Sequence, residues 1–148
     1  MELIPFLNKM QHDMLRKMCD RSVVMDVEAG GRLVRAYVVA QTEVFDVDGY
    51  QPYADGFWKI FSRHGGEFIS SSQSETIVSE GVWDPPNTVI MVFPDRTAAE
   101  AWLSDPEYVE LAQFRHRSAR TNMVIVDTAS DQYLVDSRAR RARDRDES

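Results

Sequence analysis

Two basic side chains of this sequence could carry acid–base chemistry, and His64 is the first. His64 directly precedes the pair Gly65–Gly66 at the end of a patterned helix. A free imidazole titrates near neutral pH, so it can act as a general acid or base. A histidine at a helix C-terminus can instead simply complement the helix dipole. Both interpretations of His64 fit the sequence.

Arg115 is the second candidate, because helical spacing places it on the same face as Tyr108 and therefore directs it inward. A buried guanidinium needs an acceptor. That acceptor is either a carboxylate of the chain, such as Glu43 or Glu80, or the carboxylate or carbonyl of a ligand. His116 follows immediately and cannot share this face, so we expect one of the two neighbours to be solvated. We treat His64 and Arg115 as candidate catalytic residues.

Aromatic and hydroxyl side chains form the candidate substrate-binding set. Trp83, in a loop next to Pro85 and Pro86, fits either a pocket lid or a cap on the core. The serine-rich stretch 70–74 fits either a polar edge strand or a hydroxyl-lined pocket wall. Aromatic residues on helices are usually core side chains with a polar tip. The substrate-binding candidates are Tyr50, Tyr53, Trp58, Ser71, Trp83, Tyr108 and His116.

Cofactor and metal motifs are missing from the sequence. There is no glycine-rich dinucleotide fingerprint, no phosphate-binding loop and no nucleophile elbow around a serine. His12, His64 and His116 lack metal-ligand spacing, and Cys19 is the only cysteine. We therefore expect no metal and no cofactor, so that any chemistry depends on pocket shape and acid–base groups.

Charge and hydropathy exclude several classes of function. The chain has 148 residues and a formal net charge of -7, which repels phosphate backbones, so general nucleic-acid binding is not expected. The longest apolar run, 89–94, is too short to span a bilayer. An acidic residue and a proline near the start do not suit a signal peptide. Together with the single Cys19, these features predict a cytoplasmic protein without membrane association.

Composition divides the chain into three regions. Residues 1–35 form a methionine-rich arm with one apolar stripe at helical spacing, which predicts an amphipathic helix packed on its own domain or across a dimer. Residues 36–129 form one strongly patterned domain. Residues 130–148 are polar and rich in arginine and acids, which predicts a flexible tail, either disordered or a frayed helix.

Within the central region, strands and helices alternate in the order β-α-β-β-α-β. The first helix could begin at Asp48, which has capping spacing to Gln51, or at Pro52. Thr97 and Glu100 have the spacing of a capping box at the second helix, and Asp105 and Pro106 interrupt and restart that helix. The predicted strands are 36–44, 68–80, 88–93 and 122–127.

This order is the split βαβ, ferredoxin-like α+β arrangement, with both helices on one face of a four-stranded antiparallel sheet. Both alternating sets of residues in strands 36–44, 88–93 and 122–127 contain apolar side chains. The sheet is therefore expected to be buried on both faces. A second copy of the chain is the economical cover, which predicts a homodimer through the sheet face, although the arm could cover that face instead.

The residues also resemble a known family. Ala36–Gln41, His64–Gly66, Gly81–Pro86 and Ser104–Tyr108 are similar to the domain-of-unknown-function family thirteen-thirty. The resemblance covers about residues 35–129. It implies a dimeric α+β barrel, a superfamily that includes cofactor-free oxygenases, haem-degrading enzymes, isomerases, cyclases and decarboxylases. The family's usual arginine in the second strand is replaced here by the serine stretch 70–72.

From these features we predict a cofactor-independent enzyme acting on a small apolar or aromatic molecule with carbonyl or carboxyl groups. The reaction would be cyclisation, isomerisation, decarboxylation or cofactor-free oxygenation within a biosynthetic pathway. His64 would transfer protons and Arg115 would hold developing negative charge. One alternative is a non-catalytic ligand-binding or oligomerisation module. A further alternative binds or degrades haem through His64 or His116.

Overall fold

A computed structural model describes residues 34–129 and 131–146 of the chain. The predicted arm helix, together with His12 and Cys19, lies outside the described residues. In chain order the elements are β1 (Ala36–Val44), α1 (Val47–Arg63), β2 (Glu67–Ser70), β3 (Asn87–Phe93), α2 (Arg96–Ser104), α3 (Pro106–Ser118), β4 (Ala119–Asp127) and α4 (Asp131–Asp146).

The four strands form one antiparallel sheet in the order β2-β3-β1-β4. Ala36 of β1 pairs with Phe93 on one side and with Asp127 on the other. The predicted ferredoxin-like βαββαβ order, with the second helix divided into α2 and α3, is therefore confirmed.

The prediction of a long strand over residues 68–80 is wrong, because β2 ends at Ser70. The Ser70 hydroxyl accepts a hydrogen bond from the Ile90 amide at 3.0 Å, and the register shifts at this point. The following serines bond to one another, since the Ser74 amide donates to the Ser71 carbonyl at 2.9 Å. Side-chain hydroxyls thus compete with the strand ladder and end it.

Aspartates cap the helices. Asp46, rather than either predicted start, caps α1 by accepting from the Gly49 amide, and Pro52 lies inside the helix. Asp95 caps α2 in place of the predicted Thr97, because its carboxylate accepts from the Ala98 amide at 2.7 Å. The predicted cap of α3 at Asp105, with proline at the first helical position, is confirmed.

The helices α1 and α3 run antiparallel. At one end of this helix pair Arg63 bonds Glu107, and at the other end Gly49 lies against Ser118. Gly56 allows the close approach midway, because an added Cβ would lie 2.8 Å from the Leu111 side chain.

The core lies between the helices and one face of the sheet. Its largest fully buried side chains are aromatic: Phe61 on α1, Phe93 on β3 and Trp102 on α2. The Phe93 and Trp102 rings stack with centroids 5.2 Å apart. Alternate residues of β1, from Ala36 to Ala40, complete this inner face.

The opposite face of the sheet, which we call the outer face, carries a second apolar set. Val39 of β1 pairs with Ile90 of β3 and with Val124 of β4, and Tyr37 pairs with Val126. Val124 is 55% exposed and Val126 is 49% exposed. The two-sided apolar pattern of the strands is therefore present, and one side is not fully covered.

The tail, for which disorder or a frayed helix was expected, is helical from Asp131 to Asp146. Almost all of its described side chains are exposed, Leu134 and Ser137 being half-buried. Within residues 34–129 and 131–146, no helix combines the length and the apolar character that crossing a membrane requires.

Candidate functional site

Four polar side chains gather between α1 and α3, and the exposed His116 lies at their edge. We call these five residues the tyrosine–arginine cluster: Tyr50, Tyr53, Tyr108, Arg115 and His116. Tyr50 and Tyr53 lie one turn apart on α1, with ring centroids 5.2 Å apart. Tyr108 and Arg115 lie two turns apart on α3 and so share its face. The hydroxyl oxygens of Tyr53 and Tyr108 are 3.4 Å apart. The antiparallel helix pairing thus assembles one site from two elements.

Arg115 lies at the centre of this cluster. Its guanidinium carbon is 5.5 Å from the centroid of the Tyr53 ring, within the range of a cation–π contact. The Arg115 Nε atom is buried, and the structure gives it no hydrogen-bond partner. The Nη2 atom lies 3.1 Å from Nε2 of His116, which is exposed. Arg115 therefore points inward while its neighbour faces solvent.

Burial controls the ionisation of the tyrosines. It raises the pKa of Tyr50 to about 12, and the nearby Arg115 opposes this only partly. Burial also raises the pKa of Tyr53 well above its usual value, helped by the neighbouring Tyr108. Both phenols are neutral at physiological pH. With the arginine, the site offers N–H and O–H donors together with one positive charge.

His116 accepts a hydrogen bond within the cluster. A guanidinium can only donate, so Nε2 of His116 accepts from Arg115 and the imidazole carries its proton on Nδ1. Partial burial, and then the charge of Arg115, lower the pKa of His116 below its usual value. His116 is therefore neutral at neutral pH, which is the form that a general base requires.

The expected partners of Arg115 within the chain are not found. Glu43 instead accepts from Arg120 of β4 at 2.8 Å. Among the described residues, no carboxylate pairs with Arg115, Glu80 included. The prediction of a structural salt bridge to Glu43 or Glu80 is therefore wrong: Glu43 pairs with Arg120, and the Arg115 guanidinium lies over the ring of Tyr53.

His64 lies at the other end of the helix pair. Its Nε2 is 2.7 Å from Oδ2 of Asp105, the same oxygen that accepts from Arg63 at 2.7 Å. These bonds hold the pKa of the Asp105 carboxyl well below its usual range, the His64 bond contributing most. Asp105 and Arg115 are ten residues apart on α3, about 15 Å along the helix. The structure thus does not bring the two candidate catalytic residues, His64 and Arg115, together.

A separate groove of about 490 Å³ lies beside β2. Trp83 lines it, is 43% exposed and donates from Nε1 to the Thr88 hydroxyl at 2.8 Å. Ser71 does not line the groove; its hydroxyl accepts from the Gln73 amide in the turn after β2. The other lining residues are Ser70, Ser74, Glu75, Thr76, Ile77, Val78, Ser79, Glu80, Thr88 and Ile90.

Trp58 belongs neither to the tyrosine–arginine cluster nor to the groove beside β2. Its ring stacks on Phe68 at 6.1 Å with an interplanar angle of 13°, so it closes the aromatic core. Of the seven predicted substrate-binding residues, the structure therefore brings Tyr50, Tyr53, Tyr108 and His116 to Arg115, places Trp83 at the groove, and leaves Trp58 and Ser71 in structural roles.

Glu75 and Ile77 of the groove were missed by sequence reasoning. The sequence pattern predicts one long strand over residues 68–80, whereas in the structure the strand ends at Ser70 and residues 74–80, which line the groove, are loop. The serine-rich start of the stretch, which favours a turn, was the signal that could have corrected this assignment.

Metal and haem ligation concern the histidine and acidic side chains in the described part of the chain. No group of three histidine, cysteine or acidic side chains there could hold a metal ion. The haem alternative stays a prediction: Nε2 of His64 lies 2.7 Å from Oδ2 of Asp105, and Nε2 of His116 accepts from Arg115.

Comparison with known proteins supports the fold. The family model described as "Domain of unknown function (DUF1330)" matches residues 35–129. The crystal structure of RPA0582, a protein of unknown function from Rhodopseudomonas palustris, is similar with a TM-score of 0.53 and 18% identity, covering 69% of this chain and 88% of that chain.

A second similar structure is that of SnoaB, a cofactor-independent oxygenase from Streptomyces nogalater. Its TM-score is 0.44 at 18% identity, covering 66% of this chain and 95% of that chain. A similarity this low transfers no activity to the present chain. A search of curated protein sequences finds no match.

Proposed function

The chain belongs to the DUF1330 family and has a ferredoxin-like α+β fold, and from that premise we propose that it is a cofactor-independent small-molecule enzyme whose site is the tyrosine–arginine cluster. Its ligand is a small apolar or aromatic molecule carrying a carboxylate or an enolisable carbonyl group. The reaction class is proton transfer next to that carbonyl, as in isomerisation, cyclisation or decarboxylation.

The buried, unpartnered Nε of Arg115 carries this proposal. Leaving a buried donor without an acceptor costs about 1–3 kcal/mol, and more for a charged group. A ligand oxygen placed at this nitrogen would recover that cost. Since the surrounding tyrosines are neutral donors, the site favours an oxygen acceptor with negative charge.

The chemistry follows from the two neighbours Arg115 and His116. When a ligand oxygen takes over the Arg115 guanidinium, Nε2 of neutral His116 is released and would remove a proton from the carbon next to a carbonyl group, which leaves an enolate. The arginine and the Tyr50 hydroxyl would stabilise the enolate oxygen, and protonated His116 would return its proton to another carbon of the same molecule. Atoms balance without an external oxidant, so isomerisation or hydrogen exchange needs no further reagent.

Phenylpyruvate is a suitable probe because it combines an aromatic ring, a carboxylate and an exchangeable methylene group. Exchange of its methylene protons in D2O can be followed by proton NMR. We expect exchange above the buffer rate with the wild-type chain and a loss of at least about tenfold with Arg115→Met or His116→Ala.

The matched control is Arg117→Met, which removes an exposed arginine from the same helix. Arg117 lies over Phe114 and donates to the Gln113 carbonyl, away from the tyrosines. Its variant should exchange phenylpyruvate at the wild-type rate. Equal exchange rates for Arg115→Met and Arg117→Met would contradict the assignment of the site to the tyrosine–arginine cluster.

The non-catalytic alternative is distinguished by the same probe. It predicts that phenylpyruvate binds, and that its methyl ester binds more weakly, while neither exchanges faster than in buffer. Arg115→Met would then weaken binding of the acid alone. The observation that favours this alternative is the exposed position of His116, which leaves the base open to water.

We further propose a homodimer formed through the outer face of the sheet. Val124 and Val126, about half exposed, continue the apolar rows of Tyr37 and Val39. Covering such a face stabilises by about 25 cal/mol per Å² of apolar surface, before the cost of association. A cytoplasmic location is also kept as a proposal, supported by the composition of the chain.

A further inference from the structure

The groove beside β2 contains two acidic side chains, Glu75 and Glu80, which form no ion pair with any described residue. Apolar side chains accompany them: Ile77 is 78% exposed and Val78 is 46% exposed. The groove lining contains no arginine, lysine or histidine. It therefore suits an occupant that is basic and carries some apolar surface.

The helix α4 has the complementary character. Residues 138–143 hold four arginines and no acid, and these arginines make no ion pair with the described residues. Leu134, Arg138 and Arg141 follow at helical spacing on one face. A helix of this length with few buried side chains is marginally stable alone and gains from packing. This helix lies beyond the residues matched by the family model.

Within one copy, the groove and the start of α4 lie at opposite corners of the sheet. The helix follows β4 at the end of the sheet where Asp127 pairs with Ala36. The groove lies at the other edge strand, β2, near Ser70 and Thr88, toward the other end of β3. The two edge strands are three strand spacings apart, about 14 Å. To reach the groove of its own copy, α4 would have to cross the sheet diagonally over the outer face, which the proposed second copy covers.

In a dimer stacked through the outer faces, α4 of one copy lies close to the groove of the other. A two-fold axis parallel to the strands exchanges the edges of the sheets, so that β4 of one copy lies over β2 of the other. The helix α4 would then begin beside the partner's β2 edge. Its sixteen residues extend about 24 Å, enough to run along that edge to the groove.

We propose that α4 of one copy docks in the β2 groove of a second copy, with Arg138 and Arg141 facing the acidic pair Glu75 and Glu80. This inference rests on the proposed homodimer and is independent of the proposed chemistry. Each copy both gives and receives a helix, so the contact closes on itself without forming a chain of molecules.

Cross-linking between mixed chains tests the docking directly. In a Cys19→Ser background, one preparation carries Glu80→Cys and the other carries Arg141→Cys. After the two are mixed, unfolded and refolded together, a bis-maleimide linker should join one chain of each kind. The matched control replaces Arg141→Cys by Arg143→Cys, which lies on the opposite side of α4 and should link much less.

Charge reversal gives an independent readout in the otherwise unchanged chain. Arg138→Glu with Arg141→Glu should weaken the dimer about tenfold in sedimentation equilibrium, since each exposed ion pair contributes only modestly to binding. Combination with Glu75→Arg and Glu80→Arg should restore the dimer. Arg140→Glu with Arg143→Glu is the control and should change the dissociation constant by less than about threefold.

Three results would overturn the docking. The first is an intact dimer without the mixed cross-link, which would leave the groove to another occupant such as residues 1–33 or a small organic cation. The second is an intrachain link in a chain carrying both Glu80→Cys and Arg141→Cys, studied at high dilution. The third is a wild-type monomer, which would remove the dimer proposal together with this one, whereas the first two leave the dimer standing.

Discussion

Arg115 connects the sequence to the proposed chemistry at the scale of single residues. Its inward orientation could be predicted from helical spacing relative to Tyr108, because residues seven apart share a helix face. The absence of a carboxylate partner for Arg115 could not be predicted. That required knowing that Glu43 pairs with Arg120 across the sheet, a contact between residues 77 positions apart.

Raised tyrosine pKa values predict a specific alkaline behaviour. The pKa of Tyr50 is about 12 in the folded state and about 10 in the unfolded chain, so the folded state holds its proton more tightly. Between about pH 10 and about pH 12 the unfolded state therefore binds fewer protons, and the free energy of unfolding falls as pH rises. Urea unfolding of Tyr50→Phe should show a smaller fall than wild type across this range.

The control for this prediction is Tyr133→Phe, which removes an exposed phenol of α4. That variant should follow the wild-type curve. A Tyr50→Phe curve with the wild-type slope would show that Tyr50 ionises alike in the folded and unfolded states.

At the scale of elements, Asp105 joins three helices. It ends α2, caps α3 through the Glu107 amide and binds Arg63 and His64 at the end of α1. The sequence predicted its role as a cap from the proline that follows it. The link to His64 was not predicted, because a histidine after a helix gives no indication of which element it meets.

The low pKa of Asp105 predicts an acid dependence of stability. A carboxyl group with a depressed folded pKa contributes stability above its unfolded pKa and loses it as pH falls through the folded value. The free energy of unfolding should therefore fall below about pH 4. Asp105→Asn should be less stable than wild type near neutral pH and should lose less on acidification.

A comparison with Asp105→Ala separates charge from capping. Asparagine is a good cap whereas alanine is not, so the alanine variant should be the less stable of the two in urea unfolding. Equal stability of the two variants at neutral pH would contradict the capping role of Asp105.

The connection from α1 to β2 depends on a close approach at Gly66. A Cβ there would lie 2.3 Å from the ring of Phe61, a fully buried core side chain. Gly66→Ala should therefore lower the free energy of unfolding by about 1–3 kcal/mol, the usual cost of overpacking a core. Denaturant unfolding checks this value, and a change below about 0.5 kcal/mol would show that the ring moves aside easily.

At the scale of the whole molecule, the order of elements was predictable because strand and helix periodicities differ along residues 36–129. The length of β2 was not predictable, since the serine side chains that end the strand would also suit a polar edge strand. The sequence also did not predict that the tyrosine–arginine cluster and the groove beside β2 are separate sites. Spacing along the chain gives no information on which elements meet in the fold.

The proposed dimer predicts the effect of a charge on the outer face. Val124→Glu should give a monomer in sedimentation equilibrium, because a carboxylate would be buried without a partner. Its fold, measured by circular dichroism, should be retained, since Val124 is 55% exposed in the single chain. Val109→Glu, at a 47% exposed position of α3, is the control and should stay dimeric.

The central claim is that the folded chain holds an inward, unpaired guanidinium for a ligand oxygen, and the Nε–H resonance of Arg115 reports on it most directly. In a 15N-labelled chain this proton should exchange slowly with water and should shift when phenylpyruvate is added, while that of Arg117 should do neither. Rapid exchange at Arg115, with no response to phenylpyruvate, would contradict the claim.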